Sequence, residues 1–567
     1  MTSQASIRPY LNQAYLLGLL MVAVGLTLSP FLMGMSQFWL VLVWIVDAFT
    51  PPFKGTGGIK HKLSLFIHNK AAVLLVAFYL MHVVGLLWTS DFEYAMKDLR
   101  VKLPVLVMPF VLSSMEPLDR KRFDLVMLVY VFSVFVATQF SFVSYLRHDY
   151  EDIREISHFV SHIRFCLNIV FSMAVVGYYM YKKSVSTRST TLKNQVPEPV
   201  EGPSSKVMGP SQPVPAFGIK VAVDRFLQWF LLLWFAYVVF ILEVLSGYVI
   251  FVAVVLVSAI YAFLQWKKGR GWRIAIGGLA VVVIAAIVSV VMFAIKPMIE
   301  VKPVDFSTLE KKTAQGNYYW HDTVCYPVED GKYVGLYFNR IELREAWAQR
   351  SDLPLEDTTF EGESLEATLA RYLTSKDLRK DFEGVMALTD EDVHNIEQGV
   401  SNYNNWKHPG LRARLSSTLF EYNLYRRFNN PNGGSLSQRI EFTRASFHII
   451  GQHPWSGVGT GDVPQAFAQT YDEIHSPLKE EFRFRAHNQY LAIAVAFGLI
   501  GLAFSLFVLF YPWFASKRHH TYLYVIFLCI ILLSMFPEDT LETQAGVTLF
   551  AFFESLLLFA RPASRHE

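Results

Sequence analysis

The sequence predicts an all-α, polytopic membrane protein of about twelve transmembrane helices, with a large, mostly helical periplasmic loop before the tenth helix. Three observations predict it. The 567 residues are 53% hydrophobic and only 17% charged, with a mean hydropathy of +0.30, whereas a soluble chain carries nearer a quarter charged residues. Apolar runs of roughly 20 residues, the length that crosses a bilayer, recur through the chain. One long polar tract, from about 296 to 488, interrupts them.

Taken in order, the first six spans are expected near 13–29, 32–50, 71–89, 101–115, 125–146 and 165–182. No small-residue cleavage site follows the first run in "GLTLSPFLMGM", so it is read as an uncleaved span. The stretch from Ser184 to Gly218 is rich in Ser, Pro and Lys and has little to bury, so 184–225 is expected to be a disordered cytoplasmic linker. Spans near 226–244, 247–266 and 272–295 follow, then the cap, then spans near 489–512, 521–536 and 545–561. The expected domains are therefore 1–183, 184–225, 226–295, 296–488 and 489–567.

Orientation follows from Lys and Arg, which accumulate in cytoplasmic loops. With the N-terminus inside, the inner loops hold Lys54, Lys60, Lys62 and Lys70, then Arg120, Lys121 and Arg122, then Lys267, Lys268, Arg270 and Arg273, then Lys517 and Arg518. The alternate loops "TSDFEYAMKD", "HDYEDIREISHFVSH" and "FPEDTLETQ" are acidic or neutral. The long tract thus lies outside, which for a bacterial inner-membrane protein is the periplasm. The net charge of +3 is too small to identify partners, and nucleic acid is not expected among them. Cys166, Cys325 and Cys529 are spread over two spans and the external tract; only Cys325 faces an oxidising compartment, so no disulfide within the chain is expected, and no Cys/His metal spacing is seen.

Within the tract, "LREAWAQR", "SLEATLARYLTSKDLRKDFEGVMAL", "TDEDVHNIEQGV" and "SLSQRIEFTRASFHIIGQ" space their apolar residues at helical intervals. Thr389 followed by Asp392 marks a helix start. Asp390-x-Asp392 is explained by the acidic first turn of that helix, so no nucleotide-sugar metal site is read there. "SGVGTGD", Ser456 to Asp462, resembles a phosphate cradle but is preferred as a tight turn. The basic stretch Arg371 to Asp381 is preferred as a solvated face over a lipid or sugar-phosphate contact.

Chemistry gathers at the outer ends of the spans. In "RFRAHNQYLAIAVAFGLIG" the tract hands over to span ten through a basic cluster and a His-Asn pair, with His487 expected on the first turn. Arg100 and Lys102 open span four, Arg164 opens span six, Glu538 and Asp539 lie between spans eleven and twelve, and Arg439, Arg444, Arg483 and Arg485 close the tract. Charged groups at membrane depth are costly unless paired or solvated, so this outer ring suggests an anionic, membrane-borne ligand. A lipid-linked pyrophosphate fits, because Arg grips phosphate oxygens through forked donors. For Arg100 and Lys102, snorkelling to the interface is the preferred alternative. A lone His at a helix start is more often a structural hydrogen-bonder, yet a general-base role suits His beside a carboxylate pair. Gly498 and Gly501 are expected to let a helix or lipid chain approach closely.

Over Arg439 to about Gly501 the sequence resembles the bacterial O-antigen ligase and O-antigen polymerase superfamily of integral-membrane glycosyltransferases. "RIEFTRASFHIIGQHPWSGVGTGD" is similar to that family's Arg, helix, His-Pro, Gly-x-Gly block, and "HNQYLAIAVAFGLIG" to its His-Asn, spacer, Gly-x-x-Gly signature. The resemblance implies a GT-C-like fold in which His487 is the catalytic histidine, Arg439 the loop arginine, and Asp539 or Glu538 the late acidic residue. The family usually carries another arginine in a Ser-Arg-like context near the seventh or eighth helix. This chain reads Ser246, Gly247, Tyr248 there, and Arg164 is taken as the substitute.

The expected activity is transfer of a glycan from undecaprenyl pyrophosphate to an acceptor hydroxyl on lipid A-core, inverting, without metal or cofactor, at the periplasmic face of the inner membrane. The expected partners are that lipid-linked glycan, lipid A-core or another hydroxyl acceptor, and membrane lipid. A polymerase extending a second lipid-linked glycan and a protein O-oligosaccharyltransferase share the donor site and remain alternatives. A lipid-linked glycan transporter is disfavoured, because the middles of the spans are nearly free of charge apart from residues such as Glu243 and Glu554.

Overall fold

A computed structural model describes residues 7–50, 58–147, 153–193, 218–265, 278, 289, 292–293, 295–301, 303–515 and 521–560. Its helices are α1 (Ile7–Leu28), α2 (Pro30–Phe49), α3 (Ile59–His68), α4 (Lys70–Val84), α5 (Phe92–Ser114), α6 (Arg120–Arg147), α7 (His162–Lys193), α8 (Gly218–Ile241) and α9 (Leu245–Gln265). The polar tract adds α10 (Arg340–Trp347), α11 (Leu365–Ser375), α12 (Phe382–Met386), α13 (Asp390–Glu397), α14 (Tyr403–Lys407), α15 (Leu411–Phe428), α16 (Ser435–Gln452) and α17 (Val463–Glu473). Then come α18 (Gln489–Ala515), α19 (Tyr522–Ser534) and α20 (Gln544–Ser555). Among the described residues the only sheet is a hairpin of β1 (Val328–Glu329) and β2 (Lys332–Tyr333).

Seven of the described helices are long and apolar enough to cross a membrane, at Ile7–Leu28, Pro30–Phe49, Lys70–Trp88, Arg120–Arg147, His162–Lys182, Leu245–Leu264 and Gln489–Ala515. The chain is therefore a multi-pass membrane protein. Arg225–Ile241, Tyr522–Ser534 and Gln544–Ala560 are apolar but shorter. The expected fourth span coincides with α5, whose first turns carry Glu93, Lys97, Asp98, Arg100 and Lys102. The expected ninth span lies almost wholly outside the described residues. The expected linker is helical at both ends, since α7 continues to Lys193 and α8 begins at Gly218; residues 194–217 lie outside the description.

The chain divides into two compact units, Met1–Lys267 with Ile449–Ala466 and Ala486–Glu567, and Lys268–His448 with Phe467–Arg485. Residues 449–466, placed in the external tract by the linear sequence, thus group with the membrane helices. The first unit has sharp connections made by caps. Ser29 accepts from Leu32 N at 3.2 Å ahead of Pro30, which starts α2. Asn69 closes α3 and caps α4.

The segment around "HPWSGVGTGD" explains its own grouping. Gly498 sits inside α18 at φ 65, a left-handed value only glycine adopts freely, and a Cβ there would lie 2.3 Å from the Trp455 carbonyl. The break strands backbone groups at membrane depth, where they must be satisfied by protein. Leu499 N donates to Pro454 O at 2.8 Å, Val458 N to Val495 O at 3.0 Å and Gly459 N to Ala496 O at 2.9 Å. Asp462 accepts from Ser90 N and Asp91 N, at 2.9 and 2.8 Å. The glycine-rich loop is thus a plug for the α18 break, with the Val458 and Gly459 amides committed to carbonyls of α18. Gly498 is that break rather than a smooth helix surface, and a Cβ at Gly501 would meet Phe497 of its own helix, 2.2 Å away.

The second unit has its own core, centred on Trp347, Tyr372, Leu365, Leu369 and Ile396. Thr389 and Asp392 form a reciprocal capping box at the start of α13. The basic stretch after Arg371 is built into this unit. Arg371 grips both Glu329 oxygens, at 2.8 and 2.9 Å, Lys376 pairs with Asp392 at 2.7 Å, and Arg379 pairs with Glu310. Lys380 is buried, its ammonium donating to Leu336 O at 3.2 Å. Arg379 keeps the solvated character expected of the stretch, whereas Arg371, Lys376 and Lys380 are largely committed to partners within the unit.

Burial, with Lys332 adding to it and Asp377 and Asp381 opposing, pushes the Lys380 ammonium down to about 7 from 10.5. Between these values the unfolded chain holds a proton that the folded unit lacks, so stability rises with pH across that window. Lys380→Met is expected to raise the temperature at which α10–α13 lose amide protection by about 5 °C at pH 6. The gain should fade towards pH 10. Hydrogen exchange of the full-length protein on warming checks this, and a gain that does not change with pH would refute it.

Candidate functional site

The site is built where α18 begins. Asn488 caps that helix, its Oδ1 accepting from Leu491 N at 3.0 Å, and its Nδ2 donates to Phe536 O at 2.9 Å. Gln489 N donates to Met535 O at 2.9 Å and to Glu538 O at 3.2 Å. The Tyr490 hydroxyl donates to Leu532 O at 2.9 Å. Three consecutive residues thus latch the start of α18 onto the turn between α19 and α20. His487 precedes the helix rather than lying on its first turn, and its φ is 44. This left-handed backbone is uncommon for a side-chain-bearing residue and costs on the order of 1 kcal/mol; the latch beside it holds it there.

That backbone turn brings His487 to the two acids. One ligand atom from each of His487, Glu538 and Asp539 falls within 4.8 Å of the others. Arg164, in the first turn of α7, completes the group, with Nη1 at 3.4 Å from Glu538 Oε2 and Nη2 at 3.7 Å from Asp539 Oδ1. Its Nη1 also donates to Ser161 Oγ at 3.2 Å. The Arg164 carbonyl accepts from Asn168 Nδ2 at 2.8 Å, and Asn168 Oδ1 accepts from the Tyr130 hydroxyl at 2.9 Å, so α6 fixes the base of the arginine's helix. Arg164, Glu538 and Asp539 are 9%, 4% and 7% exposed, while His487 is half-buried. The arrangement offers a base on a rigid backbone, two carboxylates able to orient it, and a guanidinium able to meet an anion. Histidine and the two carboxylates could also hold a metal ion, although the guanidinium already supplies those carboxylates with positive charge.

The remaining expected residues are carried by other elements. Arg100 is on the exposed face of α5. Lys102 does not snorkel: it is 2% exposed and pairs with Asp98 and Glu542. Arg439 and Arg444 belong to the second unit, on α16, where Arg444 approaches Glu441 at 3.7 Å. Where the resemblance leads one to expect an arginine, Gly247 lies so close to α7 that a Cβ would come 2.4 Å from Cys166 Sγ. A side chain at this position would have to displace the Cys166 thiol. The sequence had a signal for the overlooked Lys102 pairing, since Asp98 and Lys102 are one helical turn apart on the same helix.

No curated protein matches the chain. Residues 412–506 match the family described as O-antigen ligase, and over that stretch the chain is similar to the O-antigen ligase superfamily.

Proposed function

We propose that this protein is a glycosyltransferase of the inner membrane that moves a glycan from undecaprenyl pyrophosphate to a hydroxyl of lipid A-core on the periplasmic face. The observation that carries this is the meeting of His487, Glu538, Asp539 and Arg164 at the turn between α19 and α20. His487 takes the proton of the acceptor hydroxyl as its oxygen bonds to the anomeric carbon. The bond from that carbon to the pyrophosphate oxygen breaks in the same step, so the centre inverts and undecaprenyl pyrophosphate leaves as the anion. Glu538 or Asp539 orients the imidazole and balances the charge it gains. Arg164 meets the negative charge growing on the leaving group, and Arg439 is assigned a second phosphate contact from the family resemblance. The energy resides in the lipid-linked donor, so neither ATP nor a nucleotide sugar is needed.

Deleting the gene and examining the cell's lipopolysaccharide tests this. Loss of every glycan-bearing band, with free core retained, is the expected result. Retention of core plus a single repeat would instead indicate a polymerase, and an unchanged pattern would overturn both.

A further inference from the structure

Gln489 stands two residues after His487, is 1% exposed, and commits both ends of its amide to the turn that bears the carboxylates. Its Oε1 accepts from Leu541 N at 2.6 Å and its Nε2 donates to Glu542 Oε1 at 3.0 Å. The other oxygen of Glu542 is held by Lys102 at 2.8 Å, and Lys102 also pairs with Asp98 on its own helix. A chain of polar contacts therefore runs from α5 through the turn to the residue that fixes the backbone of His487. Burying an ammonium between carboxylates is expensive, and well-packed apolar side chains often serve stability as well or better. A geometric role accounts for a network that packing alone does not require.

Resting on the general-base reading of His487, we propose that Gln489 and Glu542, anchored by Lys102 and Asp98, are positioning residues that set the His487 imidazole against the Glu538 and Asp539 carboxylates. They act through the backbone of residues 487–489 and 538–542. Their contacts run to one another and to that backbone. The acceptor hydroxyl is deprotonated only if imidazole and carboxylate keep their spacing, and a displacement of about 1 Å in such a site can cost on the order of a hundredfold in rate.

An atom swap tests the proposal. Gln489→Glu preserves size and still accepts from Leu541 N, but sets a carboxylate against Glu542. Adding Glu542→Gln restores a donor facing position 489, leaves a carbonyl oxygen for Lys102, and returns the net charge to its native value. Initial rates are measured with purified full-length protein, extracted lipid-linked glycan and lipid A-core, normalised to folded protein by size exclusion. Gln489→Glu should lower kcat at least about tenfold with the KM for donor within about twofold, and the double variant should recover to within about threefold of native. A native kcat in Gln489→Glu, a double variant no faster than the single, or a loss that vanishes on normalisation overturns the inference. His487→Ala measured alongside separates the two levels. If it is inactive while Gln489→Glu is native, the positioning inference alone falls; if it transfers at the native rate, the general-base reading falls and takes this inference with it.

Discussion

Replacing His487 is expected to abolish glycan transfer, by about a hundredfold or more in rate, while the protein still folds and inserts. The latch explains why folding should survive. Asn488, Gln489 and Tyr490 fix the start of α18 to the turn at 532–538 without using the imidazole. His487→Ala keeps an unfavourable positive φ, so His487→Asn is the cleaner variant, since Asn tolerates the left-handed region. Both should elute and unfold as the native protein does yet fail to transfer. Near-native transfer by either, at normal expression, would defeat the general-base assignment. A chelator is the necessary companion measurement, because His487, Glu538 and Asp539 form a plausible ligand set. The native rate should persist in EDTA; a loss reversed by a divalent cation would mean that the three residues hold a metal and that the base is something else.

What could be seen in advance was whatever one element displays by itself. Long apolar runs announced the membrane helices, helical spacing announced α11 and α13, and Thr389 with Asp392 announced a capping box. The His-Asn pair and the acidic turn drew notice because their residue types are unusual at a membrane boundary. Pairings across the chain were not visible. Lys102 read as a snorkelling cation because its partner Glu542 lies far away in sequence, and the acidic turn read as a carboxylate pair although a third acid, Glu542, faces inward. The loop from Ser456 to Asp462 could be freed of a phosphate role on local grounds. Its use as a plug depends on the break at Gly498, which periodicity smooths over because the apolar pattern continues through it. The short separation of His487 from its helix was likewise hidden, since the position of a positive φ is decided by the contacts on either side of it.

Arg164→Ala should be the most damaging change at the site, and the reason has two separable components. The guanidinium lies 3.4 and 3.7 Å from carboxylates that are themselves buried, so its removal leaves two acids together in a site shielded from water. Breaking such a group typically costs about 3–5 kcal/mol, and transfer should be lost. Arg164→Lys keeps the charge but not the fork, so it should retain the fold and lose at least about tenfold in transfer. A second substitution divides the components. If Arg164 serves only as counter-ion, Arg164→Ala with Glu538→Gln, which removes one acid, should restore both stability and the binding of undecaprenyl pyrophosphate. If Arg164 also grips the pyrophosphate, the double variant should regain its unfolding temperature while its affinity for undecaprenyl pyrophosphate stays at least about tenfold weak. The second outcome is expected, because a carboxamide at position 538 can satisfy its neighbours but contributes no positive charge to a departing phosphate. Full recovery of binding would assign Arg164 to the fold and leave the leaving group to other cations.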